Sequence, residues 1–252
     1  MIDLLSILND IHSGLNANPD TFKIRLRYNN SKELLLNLTD VQKLELDIPD
    51  KETHEFVDLG LSVKWATCNV GASNPEDYGG HFAWGETKEK DKYDWSTYKY
   101  SKGYHDKLTK YCNNNTLGYY GITDHIYTLD AADDAAHSNW SGIWRMPTIS
   151  EWAELLDSHN CDWTWTKLKG TEGYLVKSKK YGYSDRFIFL PAVGNDFLDV
   201  QLLSIRFGIY SSSSLDTSNP IYAHSLYFNA RADRRIQDTV RTSGLSVRPV
   251  CP

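Results

Sequence analysis

Three imidazoles and three carboxylates are the first candidates for chemistry: His105, His125 and His137 with Asp124, Asp133 and Asp134. Such groups make acid–base pairs when a fold brings them within hydrogen-bond reach. Lone histidines in an aromatic-rich chain are more often hydrogen-bonded structural groups. No nucleophile motif, phosphate loop or HExxH supports catalysis. Asp130, Asp133 and Asp134 have the look of a calcium cluster, but a helix N-terminus favoured by the macrodipole is the preferred reading. Asn74-Pro-Glu-Asp77 reads as a turn with a solvated carboxylate pair. Cys68, Cys112, Cys161 and Cys251 show neither CxxC nor metal-ligand spacing. They leave three disulfide pairings, or free buried thiols, open. The chain is expected to be no enzyme and to carry no cofactor and no metal.

The C-terminal stretch from Ser204 to Val250 points elsewhere. A frame of Gly208, Ser212 to Ser214, Asn219-Pro220, Phe228-Asn229 and Gly244 to Val250 encloses side chains without a chemical theme. Catalysis needs particular groups at particular places, so this mixture reads as a binding surface whose residues can be exchanged. The candidate ligand-binding residues are Ile209, Ser211, Ile221, Tyr222, His224, Ser225, Tyr227, Arg231, Ala232, Arg234, Arg235 and Asp238, in a variable region of about 205–243. Tyr210, Tyr222, Tyr227 and Arg234 or Arg235 are the expected energetic anchors. The last Lys is Lys180, the last Glu is Glu172 and the last Trp is Trp165. A solvated surface ordinarily mixes Lys and Glu with Arg and Asp. Arg231, Arg234, Arg235 and Arg241 read as a local basic patch.

These residues must be positioned by a chain of 252 residues with a net charge of −6, 13% aromatic content and a mean hydropathy of −0.51. The length allows one large domain, or a medium one with an appendage. The acidic balance argues against nucleic acid. No apolar run reaches the roughly 20 residues of a membrane span. The start, Met1 to Leu8, lacks a positive n-region, so no signal peptide is expected. Leu4, Leu8, Ile11 and Leu15 predict an amphipathic helix over 2–15. Strict alternation predicts a strand over 22–28, a return strand over 33–38, and a third near 41–46. Residues 1–50 thus read as an attachment or oligomerisation element, with a polar linker at 48–52. Residues 55–252 read as the ligand-binding domain.

Within that domain 57–65, 173–177, 187–190, 226–228 and 245–250 read as strands, and 129–137 as a short helix. Thr148-Ile-Ser-Glu151 is a capping box opening a helix with Ile149, Trp152, Leu155 and Leu156 on one face. The echo between Gly60-Leu-Ser-Val-Lys64 and Gly244-Leu-Ser-Val-Arg248 predicts neighbouring strands that close the domain. Residues 68–104 read as a long irregular stretch held by its own aromatics.

Several motifs carry a resemblance: Val57 to Ala72, Phe82-Ala-Trp-Gly-Glu-Thr87, Trp144-Arg-Met-Pro-Thr148 with Glu151-Trp152, Phe189-Leu-Pro-Ala192 and Ser246-Val-Arg-Pro-Val250. Over about 55–250 they resemble a paralogous surface-protein family of gut anaerobes. The resemblance implies an α+β fold, the C-type lectin fold of the formylglycine-generating-enzyme type. It implies no activity, since the family enzymes' copper-binding cysteine pair is represented only by Cys251 and copper(I) favours soft thiolates. The calcium-dependent sugar motifs of animal lectins are also absent from the sequence. The tail resembles variable regions diversified by retroelements, in which adenine scrambling turns AAC codons into NNC. That set excludes Lys, Glu, Gln, Trp and Met; Gln237 is therefore read as fixed. Paralogues usually carry Trp where Ser211 and His224 stand. The implied function is non-enzymatic recognition of a protein or glycan on another cell surface, by a cell-surface or phage-tail protein. An invariant adhesin of the same fold is the alternative.

Overall fold

The computed structural model describes residues 23–28, 32–37, 54–192 and 206–252. The chain divides into two compact units, Met1–Lys51 and Glu52–Pro252. In the first, β1 (Lys23–Tyr28) and β2 (Lys32–Asn37) form an antiparallel hairpin running from Lys23 opposite Asn37 to Tyr28 opposite Lys32. The helix expected over 2–15, the strand near 41–46 and the 48–52 linker lie outside the described residues.

The second unit is built on three sheets. One has the order β11–β10–β9–β12–β5: Arg234–Val240, Tyr222–Asn229, Phe207–Leu215, Leu245–Ser246 and His81–Phe82. A second joins β13 (Val250–Cys251), β4 (Lys64–Ala66) and β3 (Phe56–Val57). The third joins β6 (Cys161–Leu168), β7 (Thr171–Ser178) and β8 (Phe187–Pro191). Against these strands stand two α-helices among the described residues, α1 (Ala135–Trp140) and α2 (Ile149–Leu156). This overturns the α+β lectin-type expectation: the unit is β-rich, and the α-helical part among the described residues is one turn-and-a-half and one two-turn helix. Apolar runs alone did not reveal β6 and β11, whose sequences CDWTWTKL and RRIQDTV mix polar and apolar side chains on a half-covered surface, nor β9, FGIYSSSSL, whose serines are buried.

The capping box forms as its spacing requires. Thr148 Oγ1 accepts from Glu151 N at 3.3 Å, and Glu151 Oε2 accepts from Thr148 N at 2.7 Å. Arg145 adds a two-pronged contact to the same carboxylate, at 2.8 and 2.5 Å. Trp152 and Leu155 are fully buried, and Trp152 Nε1 donates to Ser211 O at 3.2 Å, tying α2 to β9. The expected helix over 129–137 is displaced. Residues Ala131–Asp133 form a 3-10 turn, and Asp134 caps α1 by accepting from His137 N.

The core has two parts. One gathers Trp84, Tyr111, Trp140, Trp144 and Val247; the other gathers Trp65, Trp152, Tyr174, Tyr210 and Phe228. The end of the chain closes the unit. Val250 pairs with Trp65, and Val70 N donates to Val247 O at 2.9 Å. The echoed segments are not neighbours in one sheet, against expectation: β12 joins the five-stranded sheet while β4 pairs with β13. Two buried arginines lock this closure. Arg248 donates to Asn69 Oδ1 and to the carbonyls of Ala66, Thr67 and Phe189. Arg241 is fully buried, so it leaves the expected basic patch; it donates to Tyr98 Oη and the carbonyls of Tyr111, Pro220 and Lys110.

Candidate functional site: the β9–β10–β11 surface

The tail residues sit where three long antiparallel strands meet, and the pleat sorts them. Successive side chains on a strand point to opposite faces. Leu226 and Phe228 are fully buried, and so is Tyr210 of β9. Ile209 faces Tyr227, and Tyr227 faces Arg235, forming one row across three strands on the other face. The Arg235 guanidinium lies 4.3 Å from the Tyr227 ring centroid and pairs with Asp233. The Tyr227 ring stacks on Phe207 at 5.9 Å, and its hydroxyl accepts from Asn229 Nδ2 at 3.0 Å. Phe207, which is buried under this row, and Asp233 of the β10–β11 turn complete the cluster although sequence reasoning did not single them out.

The next row on the same face is Ser211, Ser225 and Gln237. Ser211 is 2% exposed and Ser225 0% exposed. Ser225 Oγ sits 2.8 Å from Thr239 Oγ1 and donates to Gln237 O at 3.3 Å. These two serines are interior groups, which corrects their expected place on the binding surface. The neighbouring serines are equally committed. Ser212 Oγ donates to His224 O at 2.6 Å, Ser213 N to Pro147 O at 2.8 Å, and Ser214 Oγ accepts from Ile149 N at 3.1 Å. The serine run is a polar seam binding β9 to β10 and to the start of α2.

Arg234 follows Phe228 in register and points away from Arg235. Its guanidinium lies 5.3 Å from the Tyr174 ring and 5.8 Å from Trp163. His224 and Asp238 face each other across β10 and β11, with Nδ1 and Oδ1 2.6 Å apart. Ile221 and Tyr222 are half-buried at the entry to β10, after a turn in which Asp216 Oδ1 accepts from Ser218 N. Arg231 and Ala232 are exposed in the β10–β11 turn. Ala232 has φ of 65° there, and Asn229 Oδ1 holds the turn by accepting from Arg231 N and Asp233 N. The dozen expected residues therefore form no single face. Ile209, Tyr227 and Arg235 make one patch continuous with the turn, while Arg234, His224 and Asp238 lie apart from it.

The frame residues are structural. A Cβ on Gly208 would stand 2.3 Å from the Phe228 ring, so only glycine fits. Tyr210 Oη donates to Pro191 O at 2.9 Å, and burial pushes its phenol up to about 12.

The chain matches no family model, no curated protein and no solved structure.

The paper acid–base set does not converge. Asp124 accepts from Tyr111 N, Cys112 N and Ile126 N. Asp134 accepts from His137 N and Met146 N. Asp133 is held by Lys99, Lys110 and Tyr111. Burial alone would raise its pKa, but these bonds outweigh it and hold the carboxyl well below the usual range. His137 Nδ1 lies 3.2 Å from Trp144 O, and His125 Nδ1 lies 3.3 Å from Tyr127 Oη. Asp130 and Asp133 share Lys110 while Asp134 caps α1, so the three aspartates divide between two tasks. Among the described residues no three His, Cys, Asp or Glu side chains group to hold a metal, and no helix is long and apolar enough to cross a membrane.

Proposed function

We propose that this protein is a non-enzymatic binding protein that recognises a protein or glycan on another cell through the Ile209–Tyr227–Arg235 patch and the adjoining Ala230–Asp233 turn. The single observation that carries the reading is the pleat of β9–β11. It puts Gly208, Tyr210, Leu226 and Phe228 into the core while Ile209, Tyr227 and Arg235 stand on the opposite face. Outward residues of that kind change at little cost to the fold, typically within about 0.5 kcal/mol. A stacked tyrosine beside an arginine is the composition of an interface anchor. The sequence resemblance to retroelement-diversified proteins extends the proposal: this patch is the part rewritten between relatives, as antibody loops are.

A display at a cell surface or on a phage tail fits a patch of this kind, and attachment through residues 1–50 would multiply weak contacts if several copies assembled. One observation favours a second reading, an invariant adhesin. Ser211 and Ser225 are buried, and Ser225 is bonded to Thr239 and Gln237, so those positions are poor places for random exchange. The gene decides between the two. NNC codons at 209, 227, 231, 232 and 235, with a near-identical template nearby, support diversification; their absence leaves the invariant adhesin. The binding claim itself is tested by screening glycans and cell surfaces with wild type beside a Tyr227→Ala/Arg235→Ala variant. Equal binding by the two would end it.

A further inference from the structure

The five-stranded sheet ends on β11, which pairs with β10 on one side and, among the described residues, with no strand on the other. The two ends of the β10–β11 pairing show which backbone groups look outward. Asn229 N donates to Asp233 O, and Arg241 N donates to Ile221 O. Residues along a strand turn their N–H and C=O groups alternately to one side and the other, so the odd-numbered residues of β11 serve β10. Arg234, Ile236 and Asp238 turn theirs to the open edge, where none has a hydrogen-bond partner among the described residues. Such an edge is a template for another strand.

The side chains select the strand. The segment reads Arg234-Arg-Ile-Gln-Asp-Thr-Val240, with opposite charges two residues to either side of Ile236 on one face. Two identical edges meet antiparallel about a two-fold axis. Edge-facing residues must then oppose edge-facing residues, so the register moves in steps of two. With Ile236 on the axis, Arg234 opposes the partner's Asp238 and Asp238 opposes the partner's Arg234. One step one way sets Arg235 on the partner's Arg235. One step the other way brings no opposite charges together. Charged edges ordinarily discourage pairing; these charges discourage every neighbouring register but one. Both groups have capacity left. Arg234 is exposed and makes a single long contact, from a terminal guanidinium nitrogen to Tyr174 Oη at 3.4 Å. Asp238 is exposed and uses Oδ1 on His224, leaving Oδ2. Ile236 is half-buried, and its copy across the axis would cover it.

We propose that β11 pairs with β11 of a second copy, antiparallel and centred on Ile236, to make one sheet continuous across two subunits. The axis runs through the sheet from face to face, so the two Ile209–Tyr227–Arg235 patches share one face and Arg235 opposes the partner's Gln237 at the seam. Two weak sites side by side bind a multivalent surface more tightly than either alone. A strand edge is a small interface, so the association is weak and depends on concentration.

The test is sedimentation velocity of the full chain from low to high micromolar concentration. Wild type is compared with Arg234→Asp, with Asp238→Arg, with an equimolar mixture of those two, and with the exchanged chain Arg234→Asp/Asp238→Arg. Wild type should double in mass as concentration rises. Each single variant sets like charges against each other twice and should self-associate about tenfold or more weakly. The mixture and the exchanged chain restore opposite charges at both positions and should double again, which a misfolded variant could not do. The readout is mass, so it stands or falls separately from ligand binding by the patch. A wild type that does not double, single variants that double as wild type does, or a mixture and an exchanged chain that both fail to double would each overturn the proposal.

Discussion

Tyr227 and Arg235 face each other across β10 and β11, the guanidinium 4.3 Å from the ring centroid, while their sequence neighbours Phe228 and Arg234 face the other way. The pair stands on a strand surface, and its energy is that of an exposed cation–π contact, about 0.5–1 kcal/mol. A double-mutant cycle with Tyr227→Ala and Arg235→Ala, read by urea unfolding, should return a coupling in that range. The exposed Arg235–Asp233 ion pair adds little to it. A coupling near zero would mean that the two side chains do not hold one another in place.

Burial along that face also predicts where exchange fails. Ser225 is fully buried and bonded to Thr239 and Gln237, whereas Arg235 is exposed. Ser225→Tyr should cost about 1–3 kcal/mol by overpacking. Arg235→Tyr should cost no more than about 1 kcal/mol, the cation–π contact it gives up. Thermal unfolding of the two variants checks this. Equal tolerance would show that the row containing Ser225 is not held as described.

Single pieces of the scaffold were legible, because some local signals have one physical solution, while the β-rich architecture was not. Thr148 and Glu151 at the capping-box spacing can satisfy the first turn of only one helix, and they do. Glycine at 208 was also readable as a frame residue, whereas the tail strand expected over 245–250 divides into β12 and β13 in different sheets. The sorting of the tail residues was not readable. Composition assigns Ser211, Ser225, Arg234 and Arg235 to one class; a single-residue step along a strand separates Arg234 from Arg235, while Ser211 and Ser225 share the face of Arg235 and are buried all the same. Nothing short of the β9–β10 register, with its irregularity between Ala223 and Ser225, fixes which step applies. Arg241 misled for a related reason. Arginine is ordinarily a surface residue, and only the loops around Tyr98 and Tyr111 supply the carbonyls and rings that let it be buried.

That burial makes Arg241 a strong prediction. Its guanidinium lies 4.8 Å from the Trp84 ring and serves Tyr98 Oη and three carbonyls. Arg241→Met leaves those acceptors without donors and should cost about 3 kcal/mol or more. Arg241→Lys should recover little, because one ammonium cannot reproduce the planar fork. The denaturation midpoints of both variants measure this. A Lys variant as stable as wild type would refute the cage.

All four cysteines are free thiols, and they differ in access. Cys112, Cys161 and Cys251 are buried, and burial raises the pKa of each, that of Cys161 to about 11. Cys68 is half-buried. Because the thiolate is the nucleophile, iodoacetamide at about pH 8 should label Cys68 first in the native protein and all four in urea. Mass spectrometry of the labelled peptides reads the order. Early labelling of Cys161 would contradict the packing of β6 against β7.

Acid stability should turn on Asp133. Its carboxylate is 5% exposed and takes Lys110 Nζ at 2.7 Å, Lys99 Nζ at 3.0 Å and Tyr111 Oη at 2.7 Å. The folded pKa is thus below the unfolded one, for which 3.8 is the ordinary value. As pH falls, the unfolded chain takes up the proton first, so the stabilisation is complete above the ordinary carboxylate range and drains away below about pH 5. Glu151 behaves in the same sense: burial opposes its charge, but Arg145 and the Thr148 backbone prevail and lower its pKa. Asp133→Asn removes the charge while keeping the shape. At neutral pH it should lose about 1–3 kcal/mol, because the amide accepts the Lys99, Lys110 and Tyr111 hydrogen bonds less strongly than the carboxylate does. Its urea midpoint should then fall less steeply than that of wild type between about pH 5 and 2. Parallel curves separated by a constant offset would show that Asp133 titrates alike in both states and that the lysine cage does not hold its charge.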